Sequence, residues 1–209
     1  MMWCVSQQCQ FPEPFAIAVS GVAGSGKSTL GRAIARSLRA PLIDLDSVTN
    51  PLLEELPAAA LGGHWLSSPY GPEIREGRYA ALRATARDAL AAAGRAVLVA
   101  PFTAELTGGP EWQALCQAVA PAELTMIQLI GDPELLAARR ARRGEPRDRH
   151  RSPDPDVPPP AAVPVITIDA ELTTDQQLAG LWPRLGCHLP LDLSNPLFGS
   201  RLAGGRCSG

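Results

Sequence analysis

Short apolar runs alternate with stretches of helical periodicity along most of this 209-residue chain. Residues 73–93 and 110–119 place apolar side chains at the spacing of one helix face, and so do residues 30–38. Compact apolar segments typical of buried strands lie between these helices. The predicted strands are residues 15–20, 41–44, 97–100, 124–130 and a part of 161–169.

Strands that alternate with helices predict a parallel sheet, because parallel neighbours need a crossover connection. Asp132 and Pro133 mark the start of a helix that reaches about residue 143. Thr173 and Gln176 form a capping box for a last helix. We therefore expect a doubly wound α/β fold, with helices on both faces of a five-stranded parallel sheet and a site at the carboxyl ends of the strands.

The stretch after the second predicted strand is rich in turn and capping residues. Ser47 or Asn50 is expected to cap a short helix over residues 51–56. Residues 57–72 carry glycine, proline and serine, and we expect them to form a mobile loop.

Shifts in composition divide the chain into a folded domain and flanking segments. Residues 15–183 contain all the periodic elements, and residues 1–14 are expected to form an irregular arm. Residues 153–164 are too proline-rich for a helix and form a connection. Residues 184–209 show no clear periodicity and are expected to be a tail that is loosely packed or disordered.

Composition narrows the class of protein. The formal net charge of −2 gives no general reason to expect a nucleic-acid or membrane partner. No apolar run approaches the roughly 18 residues that a membrane span requires, and the N-terminus does not read as a signal peptide. The five cysteines show no paired framework, as expected of reduced thiols. A cytoplasmic protein is expected; nothing in the composition indicates its oligomeric state.

Residues 21–29 read GVAGSGKST and match the phosphate-binding pattern G-x-x-x-x-G-K-[ST], the P-loop. Glycines let backbone N–H groups approach phosphates closely, and the following helix offers its positive end to the same anion. Lysine reaches the β- and γ-phosphates, and the serine hydroxyl ligates Mg²⁺. The motif predicts binding of ATP with Mg²⁺. The predicted nucleotide-binding residues are Gly21, Gly24, Ser25, Gly26, Lys27, Ser28 and Thr29.

A magnesium nucleotide needs an acidic group opposite Ser28, and the strand at 97–100 ends without one. Asp44 and Asp46 are two apart, and in a strand both would point into one cleft. One carboxylate would then hold metal-bound water and the other would accept a proton from an attacking hydroxyl. Alternatively, Asp46 caps a helix and Asp44 faces solvent. Asp132 is expected to be a helix cap, and Asp169 to end an edge strand.

Seven arginines lie between residues 139 and 151. They fit a solvated helix face, a nucleic-acid patch, or a lid over residues 139–152 that brings positive charge to a transferring phosphate. The lid is favoured because arginine forks suit the equatorial oxygens of a phosphoryl group. Arg139 and Arg143 are four apart and share one helix face.

Over residues 15–182, the chain resembles P-loop small-molecule kinases of the gluconate-kinase and shikimate-kinase group. That group also includes chloramphenicol phosphotransferase and polynucleotide 5′-kinases. The resemblance rests on the GVAGSGKST loop, the LIDLD strand end, the GDPELLAARRARRG segment with its following PRD, and the VITID strand. It implies a three-layer fold and transfer of the γ-phosphate of ATP to a substrate hydroxyl.

The resemblance also implies roles for single residues. Asp44 matches the metal-side acid, and Asp46 the acid that orients or deprotonates the acceptor hydroxyl. Arg139 or Arg143 matches the lid arginines, and Arg147 is implied to contact the nucleotide. The remaining matches are Arg75 and Arg78, where related kinases hold an anionic substrate; first-turn charges of a helix are the equal alternative.

The acceptor is not named by the sequence. Residues 45–51 lack the GDxxHP-like run of gluconate kinases, and residues 100–103 read APFT where shikimate kinases have three glycines. The expected partners are ATP and a small hydroxyl compound. The rival hypotheses are an ATP-binding regulatory protein and a polynucleotide 5′-kinase. Candidates for the substrate wall are His64, Trp65, Pro101, Phe102 and Thr103.

Overall fold

A computed structural model describes residues 13–143 and 160–186 of the protein, and of residue 143 only the backbone. Within this part, five strands form one sheet in the order β2-β3-β1-β4-β5, and every neighbouring pair is parallel. The predicted α/β fold is confirmed, and β5 is an edge strand as expected. The strands are β1 Phe15–Ser20, β2 Leu42–Asp44, β3 Arg95–Val99, β4 Glu123–Ile130 and β5 Val165–Asp169.

Eight α-helices connect and cover these strands in the described part of the chain. They are α1 Lys27–Leu38, α2 Leu45–Glu55, α3 Ala58–Leu61, α4 Gly71–Ala93, α5 Thr103–Leu106, α6 Gly109–Val119, α7 Pro133–Arg143 and α8 Thr174–Leu181. Two short 3₁₀ helices, Trp65–Ser67 and Trp182–Leu185, complete the set. No helix in the described ranges is both long and apolar enough to span a bilayer.

The core consists of two layers, one on each face of the sheet. Successive side chains of a strand point to opposite faces, so Ile17 and Val19 of β1 pack with α1 and α8, whereas Ala16 and Ala18 face α4. All six residues of β1 are buried, as expected for a central strand of a parallel sheet covered on both faces.

Several helix ends follow the predicted signals. Gly94 ends α4 in the left-handed conformation at φ 66°. The Asp132 carboxylate accepts from the Leu135 N–H at 2.9 Å, which makes it the predicted cap of α7. Thr173 and Gln176 form the predicted capping box of α8. The sequence locates these ends well because each signal lies within one turn of the end that it stabilises.

The prediction for the segment after β2 was wrong in two respects. α2 begins at Leu45 rather than at residue 51, because Asp44 caps it and Pro51 is tolerated inside the helix. Asp46 therefore lies in the first turn of a helix rather than in a strand. Residues 57–72, predicted to be a loop, contain α3, a 3₁₀ turn and the first residues of α4. Their glycines and prolines separate short helical turns.

Residues 184–186, the first residues of the predicted tail, contact the folded domain. The Arg184 Nη1 donates to the Thr167 carbonyl at 2.6 Å, and Leu185 packs against the core layer of α1 and α8. The remainder of the predicted tail, like residues 1–12 of the predicted arm, lies outside the described residues.

Candidate active site

The carboxyl ends of the strands bring three helix starts to one edge of the sheet, which we call the carboxyl edge. The register pairs Asp44 of β2 with Val99 of β3, and Val99 with Val19 of β1. The start of α2 is therefore level with the end of β1, where residues 21–29 begin. α4 leads back to the beginning of β3, so its first turns lie at this edge as well.

Three glycines of the P-loop, Gly21, Gly24 and Gly26, have a positive φ that side chains would oppose. Gly24 and Gly26 have φ of 88° and 87°, in the left-handed region that favours glycine. A Cβ on Gly24 would also collide with the Leu136 carbonyl oxygen of α7, whereas one on Gly26 would meet no described atom within 4 Å. The loop is thus packed closely on one side and open at its junction with α1.

The polar groups of the loop fit an anion. Gly26 is the N-cap of α1 without a side-chain cap, and the first turn of α1 carries no acid, so its N–H groups and positive end are suited to phosphate. Ser25 is 1 % exposed, and its Oγ has no hydrogen-bond partner among the described residues. A buried polar atom of this kind needs a partner, and a phosphate oxygen would supply one. Lys27 Nζ lies 3.4 Å from the Val22 carbonyl, folded along the loop.

Asp44 has a different local role from the one that strand alternation predicted. Its Oδ1 accepts from the Asp46 N–H at 3.0 Å, so Asp44 rather than Asp46 is the helix cap. The residue is 8 % exposed and does not face solvent. No cluster of three metal-binding side chains occurs in the described ranges. A nucleotide-bound Mg²⁺ needs no such cluster, since phosphates and waters supply most of its ligands.

Asp46 is paired with Arg78 of α4. The Arg78 Nη2 donates to Asp46 Oδ1 at 2.6 Å and to Asn50 Oδ1 at 3.0 Å, and its Nε donates to Thr49 Oγ1 at 2.9 Å. The guanidinium carbon lies 4.8 Å from the ring centre of Trp65. The side chain of Arg78 is 13 % exposed, and that of Asp46 is 28 % exposed. Arg78 thus fastens α2 to α4 and fixes one oxygen of Asp46.

Arg75, one turn earlier on α4, pairs with a carboxylate from the other side. Its Nη2 lies 3.4 Å from Glu105 Oε2, and its guanidinium lies 4.3 Å from the ring centre of Tyr79. Arg75 is 37 % exposed, whereas Glu105 is only 1 % exposed. Burial raises the pKa of the Glu105 carboxyl, and Arg75 opposes that shift.

The loop after β3 is held by the same tyrosine. The Phe102 N–H donates to the Tyr79 hydroxyl at 3.1 Å, and burial, with Glu105 adding to it, raises the pKa of Tyr79. Phe102 has a φ of 48°, which is strained for a bulky residue. Phe102 and Trp65 are 0 % and 5 % exposed, so these two candidates for the substrate wall pack the fold instead.

The arginines of α7 are described only in part. The Arg139 Nη1 donates to the Ala170 carbonyl at 2.6 Å, which ties α7 to the end of β5. Arg140 is 6 % exposed. The side chain of Arg143, residue Arg147 and most of the predicted lid lie outside the described residues.

The structure brings Asp44, Asp46, Arg75 and Arg78 together with four residues that the sequence analysis did not predict for the site: Thr49, Asn50, Tyr79 and Glu105. The sequence contains one signal for Glu105. It is an acidic residue that follows β3 closely, and β3 itself ends without an acidic residue. Its significance depends on the packing of α4 over β3, which local sequence does not reveal.

A cavity of about 210 Å³ lies at the opposite edge of the sheet, where the strands begin. Phe15, Glu123 and Ile166 are among the residues that line it. The length of the strands separates this cavity from the P-loop, so it is not part of the candidate active site.

Comparisons with known proteins agree with this architecture. A gluconokinase from Sinorhizobium meliloti has 23 % identity and a TM-score of 0.54, over 83 % of this chain and 92 % of that chain. The APS kinase CysC of Mycobacterium tuberculosis, in complex with AMPPNP and APS, has 18 % identity and a TM-score of 0.56, over 83 % and 98 %. A shikimate kinase from Bacteroides thetaiotaomicron has 17 % identity and a TM-score of 0.53, over 82 % and 98 %. At these identities the likeness shows the fold.

A search of the curated proteins found no match. The family model described as an AAA domain matches residues 17–156, which is more than half of the chain and includes the P-loop, α2, α4 and α5. The protein therefore belongs to the AAA domain family, and it has the P-loop α/β fold that these kinases share.

Proposed function

We propose that the protein is an ATP-dependent kinase that transfers the γ-phosphate of ATP to a hydroxyl group of a small metabolite. The observation that supports this most strongly is the position of the Asp46–Arg78 pair at the same edge of the sheet as the P-loop. A P-loop alone is compatible with hydrolysis or switching. A carboxylate fixed at the same edge of the sheet, on a separate helix, is suited to an acceptor hydroxyl.

The nucleotide side of the site uses backbone and P-loop side chains. Residues 21–29 cradle the phosphates, Lys27 reaches the terminal phosphates, and Ser25 Oγ gains the partner that it lacks. Ser28, in the first turn of α1, and Asp44 would hold Mg²⁺. When bound, the ion neutralises charge that develops on the phosphate oxygens.

The acceptor side uses Asp46. The acceptor oxygen forms a bond to the γ-phosphorus while the bond from that phosphorus to the bridging oxygen of ADP breaks. The hydroxyl proton passes to the Asp46 carboxylate. Arg78 holds Asp46 Oδ1 and thereby fixes the direction from which the carboxylate meets the hydroxyl. Catalysis then consists mainly of positioning and electrostatic stabilisation.

The helix α7 supports a role for the arginine segment in the same reaction. It follows β4 directly at the carboxyl edge, and its backbone lies against Gly24 of the loop. In this proposal Arg139, Arg143 and Arg147 bring positive charge to the transferring phosphoryl group and the nucleotide.

A screen for ADP formation tests the proposal. Purified protein with Mg²⁺ and ATP is offered sugars, sugar acids, nucleosides, antibiotics and a 5′-hydroxyl oligonucleotide. We expect that one of the small hydroxyl compounds stimulates ADP release and is itself phosphorylated in equal amount. Stimulation by the oligonucleotide alone, with salt-sensitive binding, would identify a polynucleotide 5′-kinase instead. ATP binding without stimulation by any acceptor would favour the regulatory hypothesis.

The variant Asp46→Asn keeps the size of the side chain and removes its basicity. Turnover should fall by about a hundredfold or more, since general-base catalysis contributes on that order. ATP affinity, measured by calorimetry, should stay unchanged. Asp88→Asn, an exposed aspartate in the last part of α4, is the matched control. Wild-type turnover in Asp46→Asn would remove Asp46 from the mechanism.

A further inference from the structure

Among the described residues 45–82, which form much of the proposed acceptor side, two arginines carry the positive charge. Between residues 45 and 82 the chain contains no lysine and only Arg75 and Arg78 as arginines. This stretch includes α2, the turns over residues 57–70 and the first half of α4. Within this stretch, only these two guanidinium groups could neutralise the charge of an anionic acceptor.

Carboxylates of the same chain already neutralise both arginines. Arg78 is paired with Asp46 at 2.6 Å and also donates to Thr49 and Asn50, and it is largely buried. Arg75 is paired with Glu105, which lies behind it and is almost completely buried. Asp44, buried at the start of α2, adds a further carboxylate at this edge. The described groups on this side therefore carry no excess of positive charge.

Arg75 is held so that it can still donate hydrogen bonds. Glu105 takes one nitrogen and the Tyr79 ring supports the guanidinium plane, yet more than a third of the side chain is exposed. A guanidinium anchored in this way presents its remaining N–H groups in a fixed direction. Because Glu105 offsets the charge, the partner best matched to those N–H groups is an uncharged oxygen.

We propose that the acceptor is an uncharged polyhydroxyl compound, such as a sugar or a cyclitol, and that Glu105 sets this preference by neutralising Arg75. This rests on the kinase function proposed above. Asp46 receives the reacting hydroxyl, and Arg75 donates to another hydroxyl of the same acceptor. A carboxylate in that second position would meet Glu105 as a like charge close behind the guanidinium.

Matched acceptor pairs test the preference. Each pair shares a sugar ring and differs in a carboxylate at the position of one hydroxymethyl group, for example glucose with glucuronate and galactose with galacturonate. The measurement is kcat/KM for ADP formation with each member. The wild-type protein should favour the neutral member by about tenfold or more, as expected for one charged hydrogen bond gained or lost. A preference for the acid would overturn the proposal.

The variant Glu105→Gln keeps the shape of the side chain but leaves Arg75 uncompensated. The ratio of the two kcat/KM values should shift toward the acid by about tenfold. A general loss of folded protein cancels in this ratio. Adding Arg75→Gln to Glu105→Gln restores neutrality and should abolish the shift. Glu76→Gln, which removes an exposed acid paired with Arg83 on the same helix, should leave the ratio unchanged.

If Glu105→Gln left the ratio of the two kcat/KM values unchanged, Glu105 would not set the preference. Failure of the kinase function itself gives a different result, because then no acceptor supports ADP formation. In that case calorimetry with AMPPNP present measures binding of the same pairs to the wild-type protein. Tighter binding of the neutral members would support the preference; equal affinities, no binding, or tighter binding of the acids would overturn it.

Discussion

The proposed nucleotide side and the proposed acceptor side of the candidate site are constructed in different ways. The P-loop presents mainly backbone N–H groups, and its parts lie within residues 21–29. The acceptor side is made of side chains from α2, α4 and α5, and Asp46, Arg78 and Glu105 are far apart in the sequence. Backbone geometry requires particular residues at fixed spacing, whereas the paired charges depend on how helices pack. The P-loop is therefore specific for phosphate, whereas the side chains of the acceptor side can differ from one acceptor to another.

The largest effect is expected from removing the cation of the nucleotide side. Lys27→Ala deletes the charge that is proposed to meet the terminal phosphates, and turnover should fall by about a hundredfold to a thousandfold. Calorimetry should show weaker binding of ATP, with a smaller effect on the affinity for an unphosphorylated acceptor. Lys27 is the only lysine of the chain, so no other lysine can replace it. Unchanged ATP binding would contradict the assignment of the P-loop.

The difference between local backbone patterns and charges paired by helix packing explains what could be predicted from the sequence. The P-loop, the Gly94 stop and the Thr173 capping box are local patterns, in which each residue stabilises backbone within about one turn. The start of α2 was predicted wrongly because strand alternation was extended past Asp44, where the chain already turns into a helix. A three-residue strand offers too little periodicity to show where it ends.

Glu105 and the partners of Arg78 could not be predicted from local sequence for another reason. They face each other only because α4 packs over β3 and beside α2, which joins residues about thirty positions apart. Arginine in the first turns of a helix is also common on a solvated surface. The sequence left open whether Arg75 and Arg78 hold a substrate or are ordinary charges. In the fold both arginines are paired with acids of the chain.

An intermediate effect is expected from Arg78→Lys, which tests whether geometry or charge holds Asp46. Lysine keeps the charge but cannot donate to Asp46, Thr49 and Asn50 in the same arrangement. The free energy of unfolding should fall by about 1–3 kcal/mol, measured by urea denaturation. The value of kcat should fall by about tenfold, while the KM for ATP stays constant.

Arg83→Lys provides the control for that experiment. Its partner Glu76 is 62 % exposed, and exposed pairs of this kind contribute about 0–1 kcal/mol. Stability and turnover should therefore stay near the wild-type values. If Arg78→Lys behaved in the same way, or if it changed the KM for ATP as much as kcat, Arg78 would not be a positioning residue for Asp46.

The smallest effect concerns the pH dependence of stability that Glu105 contributes. Burial raises the pKa of its carboxyl above the ordinary value of 4.5, so the folded protein binds this proton more tightly than the unfolded chain does. Stability must then fall as the pH rises from the ordinary value through the raised one. Glu105→Gln removes this contribution. The free energy of unfolding of the wild-type protein, relative to the variant, should therefore decrease as the pH rises above 4.5 and through the raised pKa.

Arg75 opposes the shift of the Glu105 pKa, so its removal should enlarge this decrease. The measurement is urea denaturation at several pH values for the wild-type protein, Glu105→Gln, Arg75→Gln and the double variant. Two differences in the free energy of unfolding are compared: the wild-type protein minus Glu105→Gln, and Arg75→Gln minus the double variant. Both should decrease with rising pH, and the second should decrease more. A relative stability that instead increases with pH would mean that Arg75 stabilises the ionised carboxylate by more than burial costs it. The attraction between the opposite charges of Arg75 and Glu105 would then outweigh the desolvation of the buried carboxylate.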